Sequence, residues 1–500
     1  MMDLKYEVRS TWRNHTKNQS TQPLRIYDAA SQEGLQRIVV EAEAQRATVR
    51  AVGSGHSWSD VALTDGFLVK TEKLKAMLDL ERDLLDEDAD SHLVRAEAGI
   101  KLRTLNRQLE KRGLALPNMG GYDAQSLAGV MATSTHGSGI RFGPIADAVR
   151  SIDLVASEGR LIRVEPNHRA ITDPQAFRAA RPDWQLVQDD SWFDAVRVGM
   201  GCMGLVYSVY LEVEKSYWLK EVRRKCTWEE VKGELASGEL DRHRHYEVLF
   251  SPYPERDGEL LCMRTTRDLT EPSGHWWGDP RRRRNTIPEF LAMFPWGVSN
   301  AINLLLDFRP QLAPFFLRRA LAALADEEFS SVSYRVLNIG VTNHMPAYSS
   351  EIGVPIDGRE LHIAAVERVI AVAERFRTVG QIYQTSPISL RFVKASTAHM
   401  SMMQGTPTMM IELIQMSRTE GGFELLAAYE EALYELCGRP HWGQVNRITG
   451  SHNLIGTMYP RYDDWLRVEG EINRSRVFDS PFSQRIGIST ATFCPETALE

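Results

Sequence analysis

The first fifty residues contain two strand-like runs separated by a helical one. Residues 23–27 read as a short strand, and residues 49–52 form a second run rich in valine. Between them, apolar side chains recur at positions 35, 38, 39 and 42, the spacing of one helix face. The pattern predicts a β-α-β unit whose second strand leads directly into a glycine-rich loop.

Short strands and helices continue through the next hundred residues. Runs at 67–70 and 92–99 read as strands, and a helical pattern at 102–111 is followed by Gly113, a residue suited to ending a helix. Residues 152–164 hold two apolar runs around Glu158-Gly159, which predicts a hairpin.

The composition changes after about residue 212. Strand-like runs at 246–250 and 334–339 alternate with helical patterns at 361–376 and 423–436. Strands beside helices in this arrangement predict an α+β domain, a sheet with helices on one face. Because 500 residues exceed what a single core usually serves, we expect at least two domains.

Charge and cysteine content exclude several classes of protein. Lys and Arg number 59 against 66 Asp and Glu, a formal charge of −7, so no global basicity points to nucleic acid. The five cysteines have no CxxC spacing, which argues against a metal cluster or a disulfide framework. The N-terminus lacks the apolar core of a signal peptide, and no apolar run has membrane-spanning length. We expect a cytoplasmic protein with no transmembrane segment and no metal.

The loop after the strand at 49–52 is the first candidate binding segment. Its sequence, Gly53-Ser54-Gly55-His56-Ser57, sets one imidazole among small residues. Glycines permit positive φ and close approach to a ligand, so successive N–H groups can face an anion such as a pyrophosphate. The Rossmann fingerprint is absent, since neither a third glycine nor a helical pattern follows. An exposed histidine in an ordinary loop is the alternative.

A second segment, residues 116–147, is dense in glycine and hydroxyl residues. Such a chain offers many N–H and O–H donors, as a diphosphate and ribityl chain requires. The segment is a poor helix or core strand, and a flexible linker is the alternative. The candidate contacts just before the strand at 148–155 are Ser134, Thr135, Gly137, Ser138 and Gly139.

These two loops, in this order, resemble the FAD loops of vanillyl-alcohol-oxidase-type (PCMH-type) flavoenzymes, and most closely the aldonolactone and alditol oxidase branch. The resemblance implies FAD bonded covalently through His56 to the flavin 8α-methyl group. A related subfamily adds a cysteine bond from the second loop, but residues 116–147 contain no cysteine, so a single bond is expected. The strand entry at Val206 resembles the segment that closes over the adenine end.

The resemblance also implies a domain plan and a fold class. We expect an α+β protein in which a two-subdomain PCMH-type FAD-binding domain is joined to an α+β substrate (cap) domain. The expected bounds are residues 1–212 for the FAD-binding domain, 213–455 for the cap, and 456–500 for a tail that returns to the FAD domain.

The C-terminal third resembles the substrate side of the same family. Residues 386–392 match a strand whose alternate residues face the flavin, where relatives commonly carry Glu and Arg at the positions of Ser389 and Arg391. Residues 439–444 resemble the family's Arg-Pro-His-Trp-Gly-Lys, with Gln444 in place of the lysine. Because Ser389 and Gln444 leave fewer charges, we expect a substrate with a different hydroxyl pattern or a bulkier, less polar group than a standard aldonolactone.

The implied reaction converts an alcohol of a sugar, polyol, aldonolactone or related metabolite to a carbonyl by hydride transfer to flavin N5. His441 is the candidate base, since an imidazole titrates near neutrality; a core histidine bonded to backbone is its alternative. Arg391 is the candidate charge near the flavin N1–C2=O locus, with a structural ion pair as its alternative.

The electron acceptor is not fixed by these residues. Dioxygen, giving hydrogen peroxide, is the expectation that the resemblance favours. Two alternatives stay open. One is a dehydrogenase that passes electrons to a quinone or protein, with the apolar segment 290–316 as docking face. The other is a flavin-binding protein without turnover.

Overall fold

The computed structural model describes residues 5–86, 92–272, 304–325, 328–339, 347–417, 419–450 and 454–489. Of the apolar segment 290–316, residues 290–303 therefore lie outside the described residues. None of the helices in the described part of the chain combines the length and the apolar character that a membrane crossing requires.

The N-terminal region consists of short strands with a few helices between them. Its strands are β1 (Tyr6–Val8), β2 (Trp12–Arg13), β3 (Ser20–Thr21), β4 (Arg25–Asp28), β5 (Val49–Val52), β6 (Phe67–Lys70), β7 (Met77–Leu78), β8 (Leu93–Glu97), β9 (Leu114–Ala115), β10 (Val149–Val155), β11 (Leu161–Glu165), β12 (Trp184–Gln188), β13 (Leu205–Glu212) and β14 (Glu214–Lys215). Its helices are α1 (Gln32–Ala44), α2 (Leu102–Glu110), α3 (Leu127–Ala132), α4 (Pro174–Ala180) and α5 (Asp190–Val196).

Two sheets organise this region. The first has the order β1-β4-β6-β5, in which β4 and β5 run parallel to β6. Helix α1 begins where the Ser31 side chain accepts a hydrogen bond from the Gly34 N–H, and its apolar face packs on this sheet. This is the β-α-β unit that the sequence predicts, and it delivers the loop after β5 to the edge of the domain.

The second sheet has the order β12-β11-β10-β13-β8-β7. Strands β10 and β11 form the expected hairpin, and its turn uses left-handed backbone at Glu158 (φ 64°) and Gly159 (φ 67°). Apolar side chains from α2, α3 and α5 complete a core beneath this sheet.

The C-terminal region is built on one large sheet. Its strands are β15 (Trp218–Thr227), β16 (His245–Phe250), β17 (Leu261–Thr270), β18 (Glu328–Val332), β19 (Ala347–Pro355), β20 (Ile388–Val393), β21 (Thr408–Met416) and β22 (Arg439–Pro440). Its helices are α6 (Trp228–Ala236), α7 (Glu239–Arg242), α8 (Ala313–Leu324), α9 (Ser333–Leu337), α10 (Leu361–Gly380), α11 (Gly422–Tyr434), α12 (Leu454–Met458), α13 (Tyr462–Ile472) and α14 (Pro481–Arg485).

The strands of this sheet run in the order β18-β15-β17-β16-β20-β21-β19-β22, with antiparallel neighbours. Helices α10 and α11 bury their apolar faces against one side in a separate core. The last helices leave this sheet. Helix α13 packs against α5, where the Trp465 indole donates a hydrogen bond to the Val198 carbonyl at 3.2 Å. The tail thus contacts the N-terminal region.

Two local predictions were wrong. The run at 334–339 is not a strand; helix α9 occupies Ser333–Leu337, and its buried Val336 packs into the core of the N-terminal region. Periodicity alone cannot assign a short apolar run to a helix or a strand, and here tertiary packing determines that it is a helix. The segment at 116–147, expected to be irregular, contains α3, because Leu127, Val130 and Met131 share one buried face. The α+β fold class itself is confirmed.

Candidate active site

A cavity lies between the two regions. On one side it is lined by residues 51–58, by α3 and by the turn at 199–204. On the other side it is lined by Glu351, Arg391 and Glu412, from three neighbouring strands of the large sheet. Loops of small residues therefore face a wall of charged ones across a single space.

The glycine loop forms part of the cavity wall, and all of Gly53, Ser54, Gly55, His56 and Ser57 line it. Gly55 has left-handed backbone (φ 64°), and its carbonyl accepts a hydrogen bond from the His15 N–H at 2.8 Å. The half-buried His56 ring lies 4.8 Å from the Tyr122 ring, edge-on, and 4.3 Å from the His15 ring. The loop thus presents His56 to the cavity between two other rings.

Only part of the second loop lines the cavity. Thr135 lines the cavity, as does Val206 at the start of β13. Ser134, Gly137, Ser138 and Gly139 lie off its wall.

Three of these four residues hold the loop in place. The Ser134 hydroxyl is 2.8 Å from the Ser401 hydroxyl. Ser138 donates to the Tyr246 carbonyl of β16 and accepts from the Phe392 N–H of β20 at 3.1 Å, while the Gly139 N–H donates to the Phe392 carbonyl at 2.6 Å. These contacts join the loop to the large sheet.

Arg391 lies at the centre of the charged wall. Its guanidinium contacts Glu412 at 2.8 Å, Glu247 at 3.3 Å and Glu351 at 3.3 Å. Burial would lower the pKa of Arg391, but the three carboxylates outweigh it and raise that pKa. Arg391 therefore carries its positive charge at every working pH.

Arg391 belongs to a row of buried charges that crosses six strands on one face of the sheet. Arg267 bridges Glu221 at 2.7 Å and Glu247 at 3.0 Å, and Glu247 reaches Arg391. We call this set the charged row; in strand order it is Glu221, Arg267, Glu247, Arg391, Glu412 and Glu351. Charges alternate until the last two, where Glu412 and Glu351 stand directly opposite each other.

Ser389 and Gln444, the two expected departures from the family's motifs, lie beside this row. Ser389 is buried off the cavity, opposite Glu412 in the sheet, with its hydroxyl 3.4 Å from Glu247. Gln444 lines the cavity, and its Oε1 is buried with no hydrogen-bond partner in the described residues. Neighbouring strands thus place the carboxylates of Glu247 and Glu412 beside position 389, although the residue at 389 itself is uncharged.

Two histidines border Glu351 at the end of the charged row. The Nδ1 atom of His441 accepts a hydrogen bond from the Gly443 N–H at 3.0 Å, and burial lowers the His441 pKa to about 4. The Nδ1 atom of His136 lies 2.8 Å from the Gly137 carbonyl, and its Nε2 lies 3.4 Å from Glu351. Nitrogen and carboxylate atoms of the three side chains fall within 4.8 Å of one another.

Sequence reasoning missed His136, Glu247, Glu351 and Glu412. The signal was present in the strands, since Glu351 and Glu412 are single charges in otherwise apolar or small-residue runs. Glutamate is rarely buried without a partner, so a lone one inside a core strand indicates a polar site.

The cavity fits FAD. Ser54 Oγ is buried and has no hydrogen-bond partner in the described residues, so it can meet a ligand's polar atom. The opposite turn has left-handed backbone at Met200, Gly201 and Gly204, which brings backbone close to a ligand. A cavity lined by loops of small residues on one side and by fixed charges on the other is the space that an FAD-dependent oxidoreductase provides for its cofactor and substrate.

Family comparisons agree with this class. Residues 23–165 match the family model described as an FAD binding domain, and residues 209–486 match the model described as D-arabinono-1,4-lactone oxidase. The chain belongs to the D-arabinono-1,4-lactone oxidase family, and the resemblance to the aldonolactone and alditol oxidase branch is confirmed. It is an FAD-dependent oxidoreductase acting on CH–OH groups.

Several characterised relatives span nearly the whole chain. L-gulono-1,4-lactone dehydrogenase of Mycobacterium tuberculosis is 27% identical over 95% of this chain and 98% of its own length. L-gulonolactone oxidase of Mus musculus is 24% identical over 95% of this chain and 98% of its own length. Alditol oxidase of a Streptomyces species is 25% identical over 86% of this chain and 89% of its own length.

Solved structures support the fold. Cholesterol oxidase from Brevibacterium sterolicum superposes with a TM-score of 0.75 over 97% of each chain, at 14% identity. A solvent-stable cholesterol oxidase gives 0.76 over 97% of this chain and 98% of its own, at 16% identity.

Proposed function

We propose that the protein oxidises the alcohol of a small sugar, polyol, aldonolactone or related metabolite, using FAD bonded covalently to His56 and dioxygen as electron acceptor. The observation that carries this proposal is the continuity of one cavity from His56 to Arg391 and Gln444. FAD bound there supplies a hydride acceptor and returns the electrons to dioxygen as hydrogen peroxide.

The chain's own residues have distinct proposed roles in holding FAD. The loop at 53–57 and Thr135 bind and orient it, and Val206 lies at its adenine end. The other candidate residues of the second loop position it without touching FAD, because their contacts fix the loop against neighbouring segments. They are Ser134, Gly137, Ser138 and Gly139. We further propose the division into an FAD-binding domain at 1–212, a cap at 213–455 and a returning tail at 456–500.

Arg391 and Gln444 have proposed roles toward flavin and substrate. Arg391 provides the permanent positive charge that stabilises an electron-rich ring beside it. The unpartnered Oε1 of Gln444 accepts a hydrogen bond from a substrate hydroxyl, since a buried acceptor without a donor is unfavourable. Ser389 acts indirectly by leaving room for the carboxylates around Arg391. This wall suits a neutral substrate rich in hydroxyl groups.

The cysteines support the proposed cytoplasmic location. Cys202, Cys226, Cys262 and Cys437 are free thiols. Free thiols without disulfides among the described cysteines are typical of a reducing compartment.

Acid precipitation tests the covalent bond. We expect the flavin of the native protein to remain in the washed pellet and its mass to include FAD, whereas His56→Ala releases the flavin into the supernatant. His15→Ala is the matched control, because it removes the neighbouring imidazole at 4.3 Å and should leave the flavin in the pellet. Flavin retained by the His56→Ala pellet would remove the attachment assignment.

Substrate and acceptor are tested separately. Under argon, a panel of sugars, polyols and aldonolactones should bleach the flavin absorbance, and mixing with air should restore it rapidly. The relative named as a dehydrogenase favours a second candidate, a dehydrogenase of the same fold. Slow reoxidation by air beside fast reoxidation by a quinone would establish that candidate, and no bleaching by any compound would indicate a protein without turnover.

A further inference from the structure

We propose that the proton of the substrate hydroxyl passes to the buried pair His136–Glu351, and that His441 is a fixed hydrogen-bond donor rather than the base. This inference rests on the proposed function, because it concerns the same alcohol oxidation. It follows from the directions of two hydrogen bonds beside the cavity and from the arrangement of charges at the end of the charged row.

The first bond fixes the tautomer of His136. A backbone carbonyl can only accept, so the Nδ1 that lies 2.8 Å from the Gly137 carbonyl carries a hydrogen. When the ring holds no second hydrogen, its Nε2 is a lone pair, and it faces a carboxylate oxygen of Glu351 at 3.4 Å. Two acceptors facing each other in a buried site leave a place for one proton between them.

The second bond fixes the tautomer of His441, which is the opposite of that of His136. A backbone N–H can only donate, so the Nδ1 that receives the Gly443 N–H at 3.0 Å is a lone pair already in use. The neutral ring therefore carries its hydrogen on Nε2. Burial lowers the pKa of His441 to about 4, which keeps the ring neutral near pH 7 and makes it a poor proton acceptor. His441 is left with one function, donation from Nε2.

The end of the charged row gives the third reason. Alternation of charge stops at Glu412 and Glu351, which stand opposite each other in adjacent strands. Arg391 bonds to both, at 2.8 and 3.3 Å, so one of the two carboxylates lacks a full counter-charge. A proton transferred to the His136–Glu351 pair during the reaction is therefore stabilised by the excess carboxylate charge at this end of the row.

The proposed step balances as an ordinary alcohol oxidation. The substrate C–H bond breaks, and its hydride, with both electrons, goes to FAD. The substrate O–H bond breaks, and its proton goes to the His136–Glu351 pair. The electrons of the O–H bond form the second bond of the carbonyl. His441 Nε2–H donates to the substrate oxygen and orients it.

The same three groups could be read as metal ligands, since their donor atoms lie within 4.8 Å of one another. The hydrogen on His441 Nε2 argues against that reading, because it occupies the position a metal would need. The charge of Arg391, 3.3 Å from Glu351, adds repulsion toward a cation.

Matched asparagine variants test the assignment in the holoenzyme. Asparagine keeps a short amide in place of the ring, so His136→Asn can still donate to the Gly137 carbonyl and His441→Asn can still accept from the Gly443 N–H. We expect His136→Asn to slow anaerobic flavin reduction at saturating substrate by at least about 100-fold, as loss of a general base does. We expect His441→Asn to raise the substrate concentration for half-saturation while the limiting rate falls less than tenfold.

The pH profile separates catalysis from a structural role. The rate of flavin reduction in the native enzyme should rise from low pH to a plateau as the pair becomes free to accept a proton. Glu351→Gln should move that rise to lower pH, and Glu351→Asp should largely restore it. The groups facing the pair are Arg391, Glu412 and His441, and His441→Asn should leave the rise in place.

A readout without turnover completes the test. In ¹⁵N-histidine spectra of the native protein at neutral pH, His441 should carry its hydrogen on Nε2, whereas His136 should carry one on Nδ1. An Nδ1–H tautomer for His441, or loss of rate and of the pH-dependent rise in His441→Asn but not in His136→Asn, would overturn the proposal. Failure of every substrate to bleach the native flavin would instead refute the proposed function and leave the tautomer result standing.

Discussion

Gly53 and Ser126 touch so closely that position 53 has no room for a side chain. A Cβ at Gly53 would lie 1.8 Å from the Ser126 Oγ and 2.7 Å from its Cβ. Ser126 stands at the start of α3, so this contact locks the glycine loop onto the second segment. The two loops that the sequence marks separately are thus one structure in space.

The contact predicts the effect of a single methyl group. Gly53→Ala should displace the glycine loop, lowering both the flavin content of the purified protein and its thermal midpoint. Trimming the neighbour should relieve the clash, so Gly53→Ala combined with Ser126→Gly should regain part of both. Absorbance of protein-bound flavin and a melting curve measure the two effects.

Gly233 provides the control for that experiment. It lies in helix α6, and no atom lies within 4 Å of the place that a Cβ would take, so Gly233→Ala meets no clash. Alanine there should leave flavin content unchanged and stabilise the protein by up to about 1 kcal/mol. Equal losses in both alanine variants would show that the Ser126 contact is not the cause.

Many local elements could be predicted from the sequence. The observed strands Val49–Val52 and Phe67–Lys70 coincide with the predicted runs, because short apolar runs bounded by turn residues carry their own signal. The glycine loop was also recognised, since Gly55 needs a left-handed backbone that few other residues adopt. Helix α9 was missed because Val336 packs on a core built by distant segments.

The candidate site was predicted only in part, for a different reason. Arg391 and His441 line the cavity as expected. The charge around Ser389, however, depends on residues that neighbour it only in the sheet. Glu412 is its cross-strand partner, and no local pattern reveals that register. The charge around a buried position depends on which strands are its neighbours, so the identity of residue 389 alone does not reveal it.

The charged row predicts a stability change when its centre is removed. Arg391→Gln leaves three buried carboxylates short of a counter-charge, so the free energy of unfolding should fall by about 3 to 5 kcal/mol near pH 7.5. The deficit should shrink as pH falls toward 5, because burial already raises the pKa of Glu412 and protonation removes its charge. Denaturant unfolding at several pH values measures this.

A surface arginine serves as the control for Arg391. Arg467 pairs with Glu471 at 3.2 Å on an exposed face of α13. Arg467→Gln should change the unfolding free energy by less than about 1 kcal/mol at any of these pH values. A pH-independent deficit in Arg391→Gln would contradict the assignment of its effect to unpaired carboxylates.

Buried neutral histidines predict acid sensitivity. Burial lowers the pKa of His245 to about 3 and of His399 to about 4. Their unfolded forms bind protons below about pH 6.5, whereas the folded forms do not, so stability is lost as pH falls from 6.5 toward 4. His245 alone should cost about 2 kcal/mol at pH 5.

Substitution of His245 isolates this effect. Asparagine can keep the donation that His245 Nδ1 makes to the Ser138 carbonyl at 2.6 Å, but it does not titrate. The stability difference between His245→Asn and the native protein should therefore shift in favour of the variant by about 2 kcal/mol between pH 7.5 and pH 5. An unchanged difference between His245→Asn and the native protein over this pH range would exclude His245 as a source.

The arrangement of carboxylates predicts that a glutamate is not tolerated at position 389. Ser389 lies opposite Glu412, and its hydroxyl is 3.4 Å from Glu247, so Ser389→Glu adds a carboxylate beside two others that share Arg391. Like charges directly opposite in a sheet are unfavourable, and the unfolding free energy should fall by about 1 to 3 kcal/mol. Denaturant unfolding measures the loss.

A double variant that exchanges the two side chains tests whether a carboxylate at position 412 and one at position 389 are interchangeable. Ser389→Glu with Glu412→Ser keeps the number of charges and moves one carboxylate from position 412 to position 389, so it should regain most of the lost stability. A double-mutant cycle should give a coupling above about 1 kcal/mol between the two sites. Additive effects would mean that Glu412 does not substitute for a glutamate at 389, and the two positions would then affect substrate binding independently.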